Sequence, residues 1–300
     1  MEITNDLKLP KTLINLYHKQ RREYAETVGE ANASATQLIA PPRIGLLRKK
    51  HYSELKQDVS ERLWAILGTV IHRVMVDGAD EEHIAEENLF IEIDGWLVKG
   101  GVDVQRQGNR VKIIDYKFTK SFKYQKNDFS DWEEQLNIYA YMVRKAKGYE
   151  VDELEVVMFV RDFSPGQVKN KGYPPASVVP VPITLWPVEK QEAFIRERIT
   201  IHKDARRAAE WGEPLPKCSD LERWKRESDY AVMKPGGKRA TKVCANQVAA
   251  EECRKKMKKP DDYEIVHRED DPTRCLGDYC GVAGFCEQWA EDHQNPKNAK

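Results

Sequence analysis

Asp103, Asp115 and Lys117 are the residues of this chain best suited to chemistry. They fall within residues 100–117, Gly-Gly-Val-Asp-Val…Val-Lys-Ile-Ile-Asp-Tyr-Lys, which read as two neighbouring strands. Side chains i and i+2 of a strand share a face, so Asp115 and Lys117 point the same way. An adjacent strand can bring Asp103 beside them. Two carboxylates and an ammonium on one sheet surface suit a hydrated divalent cation next to a phosphate, which is the chemistry of metal-assisted phosphodiester hydrolysis. Asp115 also follows the apolar pair Ile113-Ile114, and a carboxylate at the end of a buried strand needs a partner such as a cation.

The elements that must position these groups can be read along the chain. Ser34-Ala35-Thr36-Gln37 has the form of a capping box opening a short helix, and Pro41-Pro42 ends it. Asp58-Val59-Ser60-Glu61 is a second cap-like start, behind which Leu63, Leu67, Val70 and Val74 recur at helical spacing. Residues 88–117 read as three strands, with Asp94-Gly95 as the first tight turn and Gln107-Gly108-Asn109 as the second. A polar loop is expected over 118–130, a helix over 131–147, strands over 154–160 and 178–185, and a helix from Pro187 to about Glu210. The order βββ-α-β-β-α predicts an α/β fold with a mixed central sheet. The organisation expected is an N-terminal helical region over 1–60, a core over 61–211 and a basic C-terminal module over 212–300.

Composition narrows the class. No apolar run approaches the roughly 20 residues of a membrane span. The start Met-Glu-Ile-Thr-Asn-Asp lacks a signal-peptide pattern, which predicts a cytoplasmic location. Formal net charge is zero, so affinity for nucleic acid must come from local patches rather than the global field.

Gly101-Val102-Asp103, Asp115-Tyr116-Lys117 and Gln135-Leu136-Asn137-Ile138-Tyr139, in that order, resemble the motifs of RecB-like nucleases in the PD-(D/E)XK superfamily. Gly68-Thr69-Val70-Ile71-His72 resembles the upstream histidine motif of that family. The overall likeness is to exonuclease-like proteins of phages and prophages. The resemblance implies a restriction-endonuclease-like fold and a Mg²⁺- or Mn²⁺-dependent DNA nuclease, more specifically an exonuclease. It implies that Asp103 and Asp115 ligate the cation with the Tyr116 carbonyl, and that His72 completes the metal shell or contacts phosphate. Lys117 would orient the attacking water and offset transition-state charge. Gln135 and Tyr139, at i and i+4 on one helix face, would steady that lysine and touch substrate. Glu92 on the first strand is a weaker candidate for an extra acid. The alternatives are a non-catalytic DNA-binding adaptor that keeps the fold, or an end-processing nuclease acting with recombination or CRISPR partner proteins.

The six cysteines all lie in the last third of the chain, and such clustering suits metal ligation. Cys275-x4-Cys280-x5-Cys286 offers three thiolates, with Cys218 expected as the fourth. Cys244 and Cys253 are expected to pack in a small core. The set resembles the iron–sulfur element of AddB-type nucleases and of the CRISPR-associated RecB-like exonuclease. It implies a [4Fe–4S] cluster, with zinc as the alternative. The commoner family form has its first cysteine ahead of the core and a C-x2-C pair, and this chain has neither.

A nuclease also needs a cationic path for the DNA backbone. Residues 217–259 carry 13 Lys and Arg against 6 Asp and Glu. Tyr230–Lys234 and Lys238–Val243 read as a hairpin around Pro235-Gly236-Gly237, with Lys238 and Arg239 beside its turn, and Arg43 opens a second patch with Arg48, Lys49 and Lys50. Residues 118–130 interleave Phe118, Phe122, Tyr124 and Phe129 with Lys120, Lys123 and Lys126, so aromatics could stack bases while cations follow phosphates.

Overall fold

The computed structural model describes residues 1–106, 111–225, 227–237, 239–277 and 279–294. The chain divides into two units, one of residues 1–42 with 52–214, the other of residues 43–51 with 215–300.

The first unit begins with β1 (Glu2–Thr4), α1 (Lys11–Val28), β2 (Ala33–Ser34) and α2 (Ala35–Ile39). The Ser34–Gln37 capping box forms as its sequence predicts, with each side chain bonded to the other residue's backbone N–H. Helix α3 (Pro42–Lys50) passes into the second unit. Strand β3 (Lys56–Asp58) pairs with β1, and the Asp58 carboxylate accepts from the Ser60 N–H ahead of α4 (Leu63–Val76). Then come β4 (His83–Ile93), β5 (Trp96–Arg106) and β6 (Val111–Thr119). The β4–β5 turn is Asp94-Gly95, both residues at positive φ, as a two-residue hairpin requires. The Gln107-Gly108-Asn109 turn lies outside the described residues. Two helices follow, α5 (Ser121–Lys126) and α6 (Ser130–Lys147), then β7 (Val151–Val160), β8 (Val178–Ile183) and α7 (Val188–Trp211).

The sheet order is β2-β5-β6-β7-β8, with β4 added antiparallel to β5, and the β6–β7 pair is parallel. The architecture is mixed α/β, with helices flanking a mixed sheet. Strand β5 is the pivot. One of its edges pairs with β4 along its length. The other edge is shared by β2, at Val98 and Lys99, and β6, at Val104 to Arg106. Residues 100–103 lie in the gap between those two partners.

Helix α6 is buried on nearly every side because it is the core's central element. Leu136, Ile138 and Met142 pack with Val98, Val102, Ile113, Val156 and Met158 of the sheet and with Ile195 and Ile199 of α7. Each such side chain contributes roughly 1.5–3 kcal/mol by leaving water. Gly100 permits the close approach of α6: a Cβ there would stand 2.6 Å from the Met142 sulfur and 3.1 Å from the Tyr139 ring. Fully buried Asn137 is satisfied on both sides of its amide. It donates to the Glu133 and Thr184 carbonyls and accepts from the Trp186 N–H and the Gln191 amide, tying α6 to the chain entering α7.

Residues 118–130 are not the loop expected from their polarity. Asp162, just past β7, accepts from the Ser121 N–H at 2.6 Å and from its hydroxyl at 3.1 Å, satisfying the first turn of α5. That partner is remote in sequence, so no local pattern announced the helix.

In the second unit, β9 (Asp229–Met233), β10 (Lys242–Cys244) and β11 (Glu264–Arg268) form an antiparallel sheet ordered β10-β9-β11, with α8 (Gln247–Lys255) against it. Val232, Cys244, Ala250 and Cys253 share its small core, so these two cysteines pack as expected. Two short helices, α9 (Thr273–Leu276) and α10 (Glu287–Gln294), close the unit. Among the described residues no helix is long and apolar enough to cross a membrane.

Candidate active site

The β5–β6 ladder ends at Val104↔Ile114, one residue short of Asp103 and Asp115. The two acids therefore stand at the mouth of a fork in the sheet. The Asp103 carboxylate accepts from the Tyr116 N–H at 2.8 Å, and its Oδ2 lies 3.2 Å from His72 Nδ1 on α4. Burial pulls the His72 pKa down, but the Asp103 hydrogen bond and the charges of Asp103 and Asp115 outweigh it and raise it on balance.

Asp115 is buried, and the Lys117 ammonium sits 2.8 Å from its Oδ2. Gln135 fixes this pair. Its carbonyl oxygen accepts from Lys117 at 3.1 Å, and its amide nitrogen donates to Asp115 Oδ1 at 3.2 Å and to the Tyr139 hydroxyl at 2.8 Å. Desolvation pushes the Asp115 carboxyl up to about 6 despite the neighbouring lysine. Desolvation alone would lower Lys117, yet Asp115 and Asp103 hold its pKa above the ordinary lysine value, so it stays protonated. Burial, with Asp115 nearby, raises Tyr139, which therefore remains a neutral phenol.

His72, Asp103, Asp115, Lys117, Gln135 and Tyr139 thus belong to one neighbourhood, in two hydrogen-bonded groups that meet at the fork. Sequence reading missed one member. Glu86, on β4, places a carboxylate oxygen within 4.8 Å of ligand atoms of both His72 and Asp103. Its signal was present: the Asp94-Gly95 turn sets Ile93↔Trp96, and the same register puts residue 86 across from residue 103. Glu92 lies opposite Leu97, next to the turn and away from the fork.

The donors present fit a divalent cation. One imidazole and two carboxylates lie together at His72, Asp103 and Glu86. The buried Asp115 Oδ2 has its ionic neighbour Lys117 but accepts no aligned hydrogen bond. Hard oxygens with one imidazole suit Mg²⁺ or Mn²⁺.

Cys218, Cys275, Cys280 and Cys286 line one cavity of the second unit, with Arg43, Arg223 and Arg274 in its wall. Gln288 clasps Cys218 by accepting from its N–H and donating to its carbonyl, both at 2.9 Å. Burial pushes the Cys218 thiol up to about 11 and raises Cys275 as well.

One expected DNA contact is corrected. Arg43 is buried, not displayed: it donates to the Leu215 carbonyl at 3.1 Å, to the Pro216 carbonyl at 3.3 Å and toward Cys286 Sγ at 3.8 Å. Its guanidinium is committed inside the cysteine unit. Lys123 is paired with Asp131 at 2.6 Å and lies over the Trp132 ring. Lys120, Lys126 and Arg239 are exposed, and Lys238 lies outside the described residues. Trp64 on α4, half exposed, stands 6.1 Å from the Phe118 ring with the Arg161 guanidinium 4.4 Å from its own ring centre.

Comparison with known proteins decides the family. A family profile described as the PD-(D/E)XK nuclease superfamily matches residues 12–287. The chain belongs to the PD-(D/E)XK nuclease superfamily. Membership makes it a metal-dependent nuclease with DNA as its substrate class. A search of curated proteins finds no match. Among solved structures, the crystal structure of SSO0001 is similar at 16% identity, over 64% of this chain and 87% of that one, with a TM-score of 0.47.

Proposed function

We propose that this superfamily member is a DNA exonuclease with its centre at the β5–β6 fork. The observation that carries the reading is the junction of Asp103, held by His72 and the Tyr116 N–H, with Asp115, held by Lys117 and Gln135. Asp103 and Asp115, with the Tyr116 carbonyl, would hold Mg²⁺ or Mn²⁺. When bound, the ion supplies Lewis-acid polarisation of the scissile phosphate and acidifies a water. The chain's own residues do the rest. Lys117 keeps a proton and a positive charge where phosphate charge develops. Gln135 holds the lysine in position, and Tyr139 offers an un-ionised hydroxyl beside it.

The exonuclease reading is supported by exposed aromatics beside the catalytic strand. Trp64, next to Phe118, and Phe122 on α5, 61% exposed, suit the unstacked bases of a frayed end, and Lys120 and Lys126 suit its phosphates. Exposed Arg239, on the second unit, would offer the DNA backbone a further cationic contact of its own. Cys218, Cys275, Cys280 and Cys286 would ligate a structural [4Fe–4S] cluster, or zinc. The arginines around them favour that reading because they offset thiolate charge. An end-processing nuclease acting with recombination or CRISPR partner proteins is the narrower alternative.

The test is purified protein on end-labelled linear DNA and on closed circular DNA, with Mg²⁺ or Mn²⁺, beside Asp115→Ala and Lys117→Ala. Degradation from ends, spared circles and losses of roughly 10²-fold or more in both variants are expected. Equal cleavage by all three proteins would mark the activity as a contaminant. Salt-sensitive binding without cleavage under either metal would favour the adaptor alternative.

A further inference from the structure

Glu86 has no place in the motifs that mark the superfamily in this sequence, yet its backbone is held in an uncommon conformation beside the catalytic acids. It sits in mid-strand at φ +53°, a left-handed value that a glutamate adopts only when its surroundings impose it. The β4–β5 register is unbroken around it: Ala85 pairs with Val104 and Glu87 with Val102. No residue has been inserted, so the left-handed turn of the backbone changes the direction of one side chain without shifting the strand. Glu87 is committed elsewhere, accepting from Lys147 at 2.8 Å and from Gln105 at 2.5 Å. Glu86 instead faces His72 and Asp103.

Two carboxylates directly across a strand pair repel each other. A fold that places them together, with an imidazole nitrogen in the same small volume, supplies three of the ligands a divalent cation needs. A separate sign lies on the adjoining strand. The Asp115 side chain is only 2% exposed, and its Oδ2 meets the Lys117 ammonium at 2.8 Å but accepts no aligned hydrogen bond. That is an anionic atom sealed from water beside the same acids.

We propose that Glu86 is a direct ligand of the divalent ion, sharing it with His72 and Asp103. The inference rests on the metal-centre reading above and adds a third carboxylate to it. Such an ion would be held by β4 as well as by α4 and β5, and none of those contacts needs DNA.

The test is Mn²⁺ binding by the full chain without DNA, followed by calorimetry and by the loss of the free-ion electron paramagnetic resonance signal. Glu86→Gln keeps size and removes charge; Glu86→Asn is a shorter neutral residue that tolerates the left-handed backbone. Asp103→Asn is the control, and far-UV circular dichroism checks that each variant folds. Both Glu86 variants should bind Mn²⁺ at least ~10-fold more weakly than the parent. Parental affinity in either folded Glu86 variant, with loss in Asp103→Asn, would overturn the role of Glu86 and leave the metal centre standing. Parental affinity in Asp103→Asn as well would overturn the metal-centre reading itself.

Discussion

Asp115 carries an acid's charge where water hardly reaches, and that conflict sets its pH behaviour. Burial raises its native pKa from 3.8 to about 6. Below about pH 6 a proton competes with the cation for this carboxylate. Mn²⁺ affinity, read by calorimetry, should level off only once His72, whose pKa is raised, has lost its proton, and should fall below that by up to ~10-fold per pH unit for each ligand that protonates. For the metal-free fold the direction reverses. A carboxyl whose native pKa exceeds its unfolded value contributes stability that is complete below about pH 4 and is lost as pH rises through 6. Metal-free protein should therefore lose melting temperature relative to Asp115→Asn between pH 4 and 7. A growing advantage over that variant would contradict the raised pKa. Gln135 acts at the same scale but through its neighbours. Gln135→Ala removes the clamp on Lys117 and Asp115 and should lower cleavage about 10–100-fold. Gln135→Glu tests the geometry separately: it keeps the oxygen that receives Lys117 but loses the amide that donates to Asp115 and Tyr139.

At the scale of elements, the site depends on how closely α6 lies on β5. Gly100 sets that distance, because any side chain there meets Met142 and Tyr139. Gly100→Ala should cost about 1–3 kcal/mol in chemical denaturation, the usual penalty of overpacking. It should also lower activity by displacing Tyr139 and Gln135, whereas Gly101→Ala, whose Cβ would meet only Asn88 at 3.6 Å, should be milder on both counts. Helix α5 depends on Asp162 in the same manner. Asp162→Ala leaves the Ser121 N–H and hydroxyl without their partner and should loosen α5, seen as faster amide exchange over residues 121–126.

At the scale of the whole molecule, the units rest on different chemistry. The first has a continuous apolar core built on α6 and the sheet. The second has a small core around Val232 and Ala250 and a separate cavity lined by four thiols. With so small a core, the second unit would be stabilised chiefly by the proposed cysteine-ligated centre. Cys275→Ser, or a chelator that removes the proposed metal, should lower the melting of the second unit in calorimetry and leave the first unit's transition in place. A single unchanged transition in iron- or zinc-replete protein would refute ligation by these cysteines.

Sequence alone determined the elements and the chemistry on offer. Strand alternation put Asp115 and Lys117 on one face, the Asp94-Gly95 turn fixed the hairpin, Ser34 and Gln37 announced their cap, and the i, i+4 spacing put Gln135 and Tyr139 together. These are local effects, written within a few residues by backbone sterics and side-chain reach. Tertiary structure decided the rest. It brought His72 of α4 to the Glu86–Asp103 pair that the hairpin register allowed, folded α5 on a carboxylate about forty residues away, and buried Arg43 where basic composition suggested a surface. In each case the deciding partner lies far along the chain. A carboxylate or guanidinium has the same formula exposed or enclosed; only packing settles which groups surround it, and therefore what it can do.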